Sequence, residues 1–193
     1  MVRTSIILLS LTVLIGALLY FRFPPASVLR QRQFVGTQNC RGCHATPASG
    51  DQYALWLASA HARAFAALRS ASAEAYANEQ HRGIPVDDSD CLRCHSNASG
   101  SSAAERGPSF SVDEGVTCEA CHGAGGDYGI YAVMRDRKVF AKLGGRIGSD
   151  RDCLQCHATS LQQVHCPFQR EPFAAATAMR VIAHPVPRPR AAR

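Results

Sequence analysis

Eight of the nine cysteines in this 193-residue chain fall into four C-x-x-C pairs, and a histidine follows each pair directly. The four groups are Cys40, Cys43 and His44; Cys91, Cys94 and His95; Cys118, Cys121 and His122; and Cys153, Cys156 and His157. On a helical turn, residues three and four apart share a face, so two thiols and an imidazole converge on one ligand. The chemistry this serves is covalent attachment of a c-type haem, in which the thiols bond the vinyl groups and the histidine binds the iron. Four zinc knuckles are the competing reading, since eight thiolates could serve two tetrahedral metals, but zinc has no use for the histidines. With 8 histidines in 193 residues, chance would place one behind all four pairs only about three times in a million. Four covalently bound haems c are therefore expected, with the eight cysteines as attachment points and His44, His95, His122 and His157 as iron ligands.

The remaining histidines depend on the elements that carry them. From Asp51, a plausible N-cap, DQYALWLASAHARAFAALRSASAEAYA reads as one long helix with Tyr53, Trp56, Leu57, Phe65 and Leu68 at helical spacing. Leu57, His61 and Phe65 then share a stripe, which turns His61 inward as a second iron ligand. A last, alanine-rich helix runs from Pro172 to Ala183, and Pro185 stops it and fixes His184 where it can face a haem. From Tyr128 to Leu143, Ile130, Val133, Met134 and Phe140 predict another amphipathic helix, closed by Gly144 and Gly145. Met134 would lie on its inward stripe with Ile130 as a candidate thioether ligand, although plain packing is the commoner role of such a methionine. His81 and His165 sit in irregular stretches where histidines are usually solvated; if Met134 does not ligate, its iron is either five-coordinate or served by one of these two. Residues 96–111 read as a flexible polar surface loop. Gly123, Gly125 and Gly126 stand where backbone passes close to a macrocycle.

Composition sets further limits. Leu, Ile, Val and Phe make up 24 of the 157 residues from position 37 onward, below the roughly 20% under which a charged chain tends to disorder. Flat apolar macrocycles would supply the missing core, and the chain without them should be largely unfolded. The formal charge of +6 does not mark a nucleic-acid binder. Eight propionates from four haems would bring it to about −2. Cys166, outside every motif, reads as a buried small apolar residue.

Thr4 to Phe21 carries no charge and follows Arg3, the layout of an export signal or a membrane anchor. Large residues at Leu19, Tyr20 and Phe21, and Pro24 three positions before a cut after Ala26, make poor cleavage sites. An uncleaved anchor in the inner membrane is thus favoured, with the rest of the chain facing the periplasm; a soluble periplasmic protein after cleavage is the alternative. The expected organisation is an anchor and tether over residues 1–36, a haem domain over 37–187 and a basic tail over 188–193.

The arrangement resembles the tetrahaem cytochrome c-554 family (the cytochrome c-554 and c-prime domain) over most of residues 35–187. FVGTQNCRGCH followed by YALWLASAHARAF is similar to that family's first motif with its W-x-x-S-x-H-x-x-A helix, whose histidine, here His61, is a distal ligand. GVTCEACHGAGGDY resembles its third-motif block. CLQCHATS followed by IAHPVPRP resembles a related branch in which a late histidine before proline, here His184, is expected at a haem. The resemblance implies a mainly α, loop-rich multihaem cytochrome with a haem-stacked core, few or no strands and mostly bis-histidine irons. Met134 stands in the segment from which that family supplies a further distal histidine. The function expected is electron transfer from a quinol dehydrogenase or a periplasmic oxidoreductase to another cytochrome or reductase. The alternative is a small haem enzyme acting on nitric oxide, nitrite or hydroxylamine at a five-coordinate iron.

Overall fold

The computed structural model describes residues 32–97, 100–158 and 173–184. The apolar run 4–21, His165, Cys166 and the basic tail lie outside these residues. Among the described residues no helix is long and apolar enough to cross a membrane. The chain divides between Gln31 and Arg32, and everything described here belongs to the second unit.

Among the described residues of that unit, ten short α-helices alternate with loops. They are α1 (Thr37–His44), α2 (Gln52–Ala58), α3 (Ala64–Ala67), α4 (Ala71–Glu79) and α5 (Ser89–His95), then α6 (Cys118–His122), α7 (Tyr131–Met134), α8 (Arg137–Lys142), α9 (Asp150–His157) and α10 (Ala175–Ile182). Three 3₁₀ turns join them, at His61–Arg63, Ala103–Glu105 and Val112–Glu114. Among the described residues the one β feature is an isolated parallel bridge between Phe34 and Arg106. Helices this short are marginal alone, and side-chain caps hold many of their first turns. The Ser70 hydroxyl accepts from Ala73 N at α4, the Asp88 carboxylate from Asp90 N and Cys91 N at α5, and the Asp136 carboxylate from Lys138 N and Val139 N at α8. Ser149 and Asp152 form a capping box at α9.

Three expectations are corrected. The helix predicted from Asp51 breaks at Ser59, whose backbone is extended, and both its N–H and its hydroxyl donate to the Trp56 carbonyl. Serine thus offers the backbone a local alternative to the helical ladder. The stripe from Leu57 to Phe65 is lost with the break: Leu57 is 55% exposed while Phe65 is buried. The helix predicted over Tyr128–Leu143 is two helices, because Asp136 caps α8 and so interrupts what precedes it. Ile130 and Met134 are exposed, so they do not form a stripe against the polypeptide's own core.

The third correction concerns the segments read as tether and flexible loop, which tie each other down. Phe34 N donates to Glu105 O, Gly107 N donates to Phe34 O, and the Ser109 hydroxyl donates to Val35 O. A polar composition concealed these bonds because they use backbone atoms.

Among the described residues the buried apolar side chains are Phe65, Leu68, Ala77 and Tyr128, whereas Leu57, Ile84, Ile147 and Val181 are among those exposed. The polypeptide encloses little core of its own, as expected of a fold whose remaining core comes from flat apolar cofactors.

Candidate functional site

Each C-x-x-C-H motif closes a helix: α1 ends on His44, α5 on His95, α6 on His122 and α9 on His157. Both thiols and the imidazole of each motif therefore fall in the last helical turn or two. The chain leaves α6 through Gly123, at φ +84°, a conformation that favours glycine, and a Cβ there would stand 2.6 Å from Gly144 O.

The histidines are oriented by bonds at Nδ1. The partner is Gln52 Oε1 for His44 at 3.1 Å, Ala64 O for His95 at 2.6 Å, Arg146 O for His122 at 2.9 Å and Ile182 O for His184 at 3.0 Å. Carbonyl oxygens only accept, so each Nδ1 carries the proton and each Nε2 is left as a bare lone pair, the tautomer a metal takes. The Gln52 amide is itself held, since its nitrogen donates to Ser49 O. The His157 ring stacks on Phe173, with centroids 4.3 Å apart and planes 13° from parallel. Burial lowers the His61 pKa, and the neighbouring His157 adds to the effect; burial likewise lowers that of His122. Both shifts favour the neutral imidazole that ligation needs.

Two pairs of histidine rings lie close together, their planes tilted by 55° and 46°. The centroids of His61 and His157 are 6.2 Å apart, and those of His122 and His184 are 6.0 Å apart. A metal–imidazole bond of about 2.0–2.1 Å, plus about 1.1 Å from nitrogen to ring centre, would set two rings across one metal about 6.2–6.4 Å apart. The break at Ser59 makes the first pairing possible. Trp56 Nε1 donates to Val116 O at 2.8 Å, and Val116 N donates to His61 O at 3.0 Å, so the turn that carries His61 is pinned to the stretch of chain entering α6. His81 is exposed at a left-handed φ of 53°.

The thiols also meet in twos. Cys40 of the first motif and Cys118 of the third lie close enough for their thiols to interact, and this proximity and burial raise the Cys40 pKa. Cys94 of the second motif and Cys156 of the fourth form the other such pair. The third and fourth motifs adjoin through Arg146, which bonds Ala120 O and pairs with Asp152, and through Gly148, whose Cβ would stand 3.1 Å from the Cys121 Cβ. The attachment points thus run through space in the order first, third, fourth, second. Among the described residues no three or more His, Cys, Asp or Glu side chains gather as a bare metal site. The donor set instead fits haem c: paired thiols, an oriented imidazole at each helix end, and thin protein packing between.

One residue at the centre was not singled out by sequence reasoning. Glu119, between the cysteines of the third motif, is 2% exposed. Its Oε1 accepts from Val35 N at 2.9 Å and Gly125 N at 2.7 Å, and its Oε2 accepts from Gly36 N at 2.9 Å. Burial raises its pKa, opposed by these three bonds. The carboxylate fastens the segment before the first motif to the loop after the third. The available signal was the run of glycines at 36, 123, 125 and 126, which lets backbone N–H groups approach so closely.

A family model described as cytochrome c554 and c-prime matches residues 36–123. That span includes the first three motifs, His61 and Glu119, while the fourth motif and His184 lie beyond it. The match supports the resemblance read from the sequence, and with it covalently bound haem c. No curated protein and no solved structure matches the chain.

Proposed function

We propose, from the premise that the chain is a haem-binding c-type cytochrome, that it is a four-haem electron relay on the periplasmic side of the inner membrane. It would take electrons from a membrane or periplasmic dehydrogenase and pass them to another redox protein. The observation that carries this reading is the close approach of two imidazole couples, His61 with His157 and His122 with His184.

Bound haem c supplies a one-electron iron couple whose potential depends on its axial ligands and surroundings. The side chains of this protein would do the rest. His157 and His61 would hold one iron, and His122 and His184 another, each saturated and so suited to electron exchange rather than to substrate binding. The Nδ1 bonds of His122 and His184 to carbonyl oxygens and the stacking of His157 on Phe173 hold these rings, so little reorganisation accompanies a change of charge. The thiol contacts bring the first attachment site against the third and the second against the fourth, which supports a continuous path. Anchoring through residues 4–21 belongs to the same proposal.

The test is intact mass together with electron paramagnetic resonance of the oxidised protein. Four haem masses that survive acid-acetone extraction, with at least two low-spin bis-histidine signals, are expected. Three or fewer haems, or high-spin signals from all irons that respond to nitric oxide, would overturn the relay in favour of a ligand-binding enzyme.

A further inference from the structure

The relay needs a place to meet its partner, and charge is unevenly distributed along the chain. Residues 100–128 hold five acidic side chains and one basic, whereas residues 131–146 hold five basic side chains and one acidic. The single acid of the second stretch, Asp136, spends its carboxylate on the first turn of α8. Arg135 lies over the Tyr131 ring and donates to its hydroxyl. Arg137, Lys138 and Lys142 are exposed, and none forms an ion pair among the described residues.

Their direction follows from helical geometry. Phe140 turns inward, its ring edge-on to buried Tyr128 with centroids 4.9 Å apart. At 100° per residue, Lys138 and Lys142 point away from Phe140. Beside them Ile130, Tyr131 and Val139 are exposed at 59, 68 and 39%. The α7–α8 segment thus exposes apolar and aromatic side chains together with fixed positive charge, the composition of a protein docking face rather than of an ordinary solvated helix. It also reaches the site directly. The Tyr128 hydroxyl donates to Gly123 O, and Arg146 N and O both bond His122.

We infer that the α7–α8 surface is the docking face for an acidic redox protein, which exchanges electrons through the third attachment site. This rests on the relay reading and names the chemistry of its partner. One electron passes between partner and iron and no bond is made or broken. Complementary charge accelerates such encounters by about 10–1,000-fold at low ionic strength and loses its effect as salt is added.

The test compares two variants of equal net charge in the haem-loaded full chain. One is Arg137→Glu, Lys138→Glu and Lys142→Glu. The other is Arg63→Glu, Arg69→Glu and Arg180→Glu, at exposed positions outside the attachment motifs. The probe is reduced flavodoxin, an acidic one-electron donor, mixed by stopped flow across a range of ionic strength, with duroquinol as a neutral small donor. The α8 triple should lower the flavodoxin rate at least tenfold at low salt and flatten its salt dependence, leave the duroquinol rate within twofold, and exceed the effect of the second triple. Equal effects of the two triples would overturn the docking face while leaving the relay standing. So would a changed haem content or potential in the α8 triple, because it would assign these cations to propionates. Failure of the wild type to accept electrons from either donor would remove both proposals.

Discussion

Replacing Glu119 tests the local architecture most sharply, because one buried carboxylate closes three backbone donors. A hydrogen bond to a charged group contributes about 1.5–3 kcal/mol, so three give roughly 4.5–9 kcal/mol before the cost of burying the charge. That desolvation returns several kcal/mol. A net loss of about 2–4 kcal/mol is expected for Glu119→Ala, which leaves the N–H groups of Val35, Gly36 and Gly125 without their acceptor. Glu119→Gln keeps one oxygen for two of the donors but sets an NH₂ against the third, and should cost about 1–2 kcal/mol. The sign of the pH dependence is fixed by the raised pKa. A group whose pKa is higher in the fold than in the unfolded chain stabilises most below its unfolded value and loses that contribution as pH rises through the folded one. The advantage of Glu over Gln should therefore grow as pH falls toward the ordinary carboxylate range near about 4. Urea unfolding of the haem-loaded protein, followed by circular dichroism, measures the difference. If both variants unfold within about 0.5 kcal/mol of wild type, the clamp does not hold the segment and the reasoning fails.

Other outcomes depend on single contacts. His61→Ala and His184→Ala should each convert one low-spin signal to high spin and leave the rest of the spectrum intact; a low-spin spectrum unchanged in either variant would contradict the pairing. Gly115, at φ +77°, has room for no Cβ, which would meet His61 O at 2.5 Å, so Gly115→Ala should cost about 2 kcal/mol or more, whereas Gly83→Ala, with no atom within 4 Å of its Cβ, should be close to neutral. Asp88 caps α5 and pairs with Arg82, and its pKa is held at about 2 by that partner. Because the folded value is depressed, its contribution is complete above the ordinary value near about 4 and lost as pH falls toward about 2; Asp88→Ala should cost about 1–2 kcal/mol at neutral pH and little in strong acid, as read from melting curves.

The haem c motifs stand out in the sequence because each is local, contained within five consecutive residues, and the helix ends on which the structure places them are consistent with that reading. The helical, strand-poor class was legible too, since the motifs and alanine-rich segments carry it. The breaks at Ser59 and Asp136 were not, because each is a contest between a side chain and the helical ladder, and apolar spacing continues through it regardless. Glu119 was invisible for another reason. Inside C-E-A-C-H a glutamate looks solvated, and only the approach of residues 35–36 from more than eighty positions away turns it into a buried acceptor. His61 and His184 were singled out from a face and a helix end, and the structure sets each beside a motif histidine, although His61 arrives on a turn rather than on the continuous helix that its spacing predicts.

The meeting of Cys40 with Cys118, and of Cys94 with Cys156, constrains how such a protein can be made. In the closed fold each of these thiols lies close to one from a different motif, within reach for thiol–disulfide chemistry once either is ionised. An apocytochrome that reached this arrangement in an oxidising compartment would be primed to form cross-motif disulfides, and each would sequester two attachment points at once. Biogenesis must therefore keep the chain open and its thiols reduced until ligation is finished. In that order the fold is the product of cofactor insertion, and premature closure is its characteristic dead end.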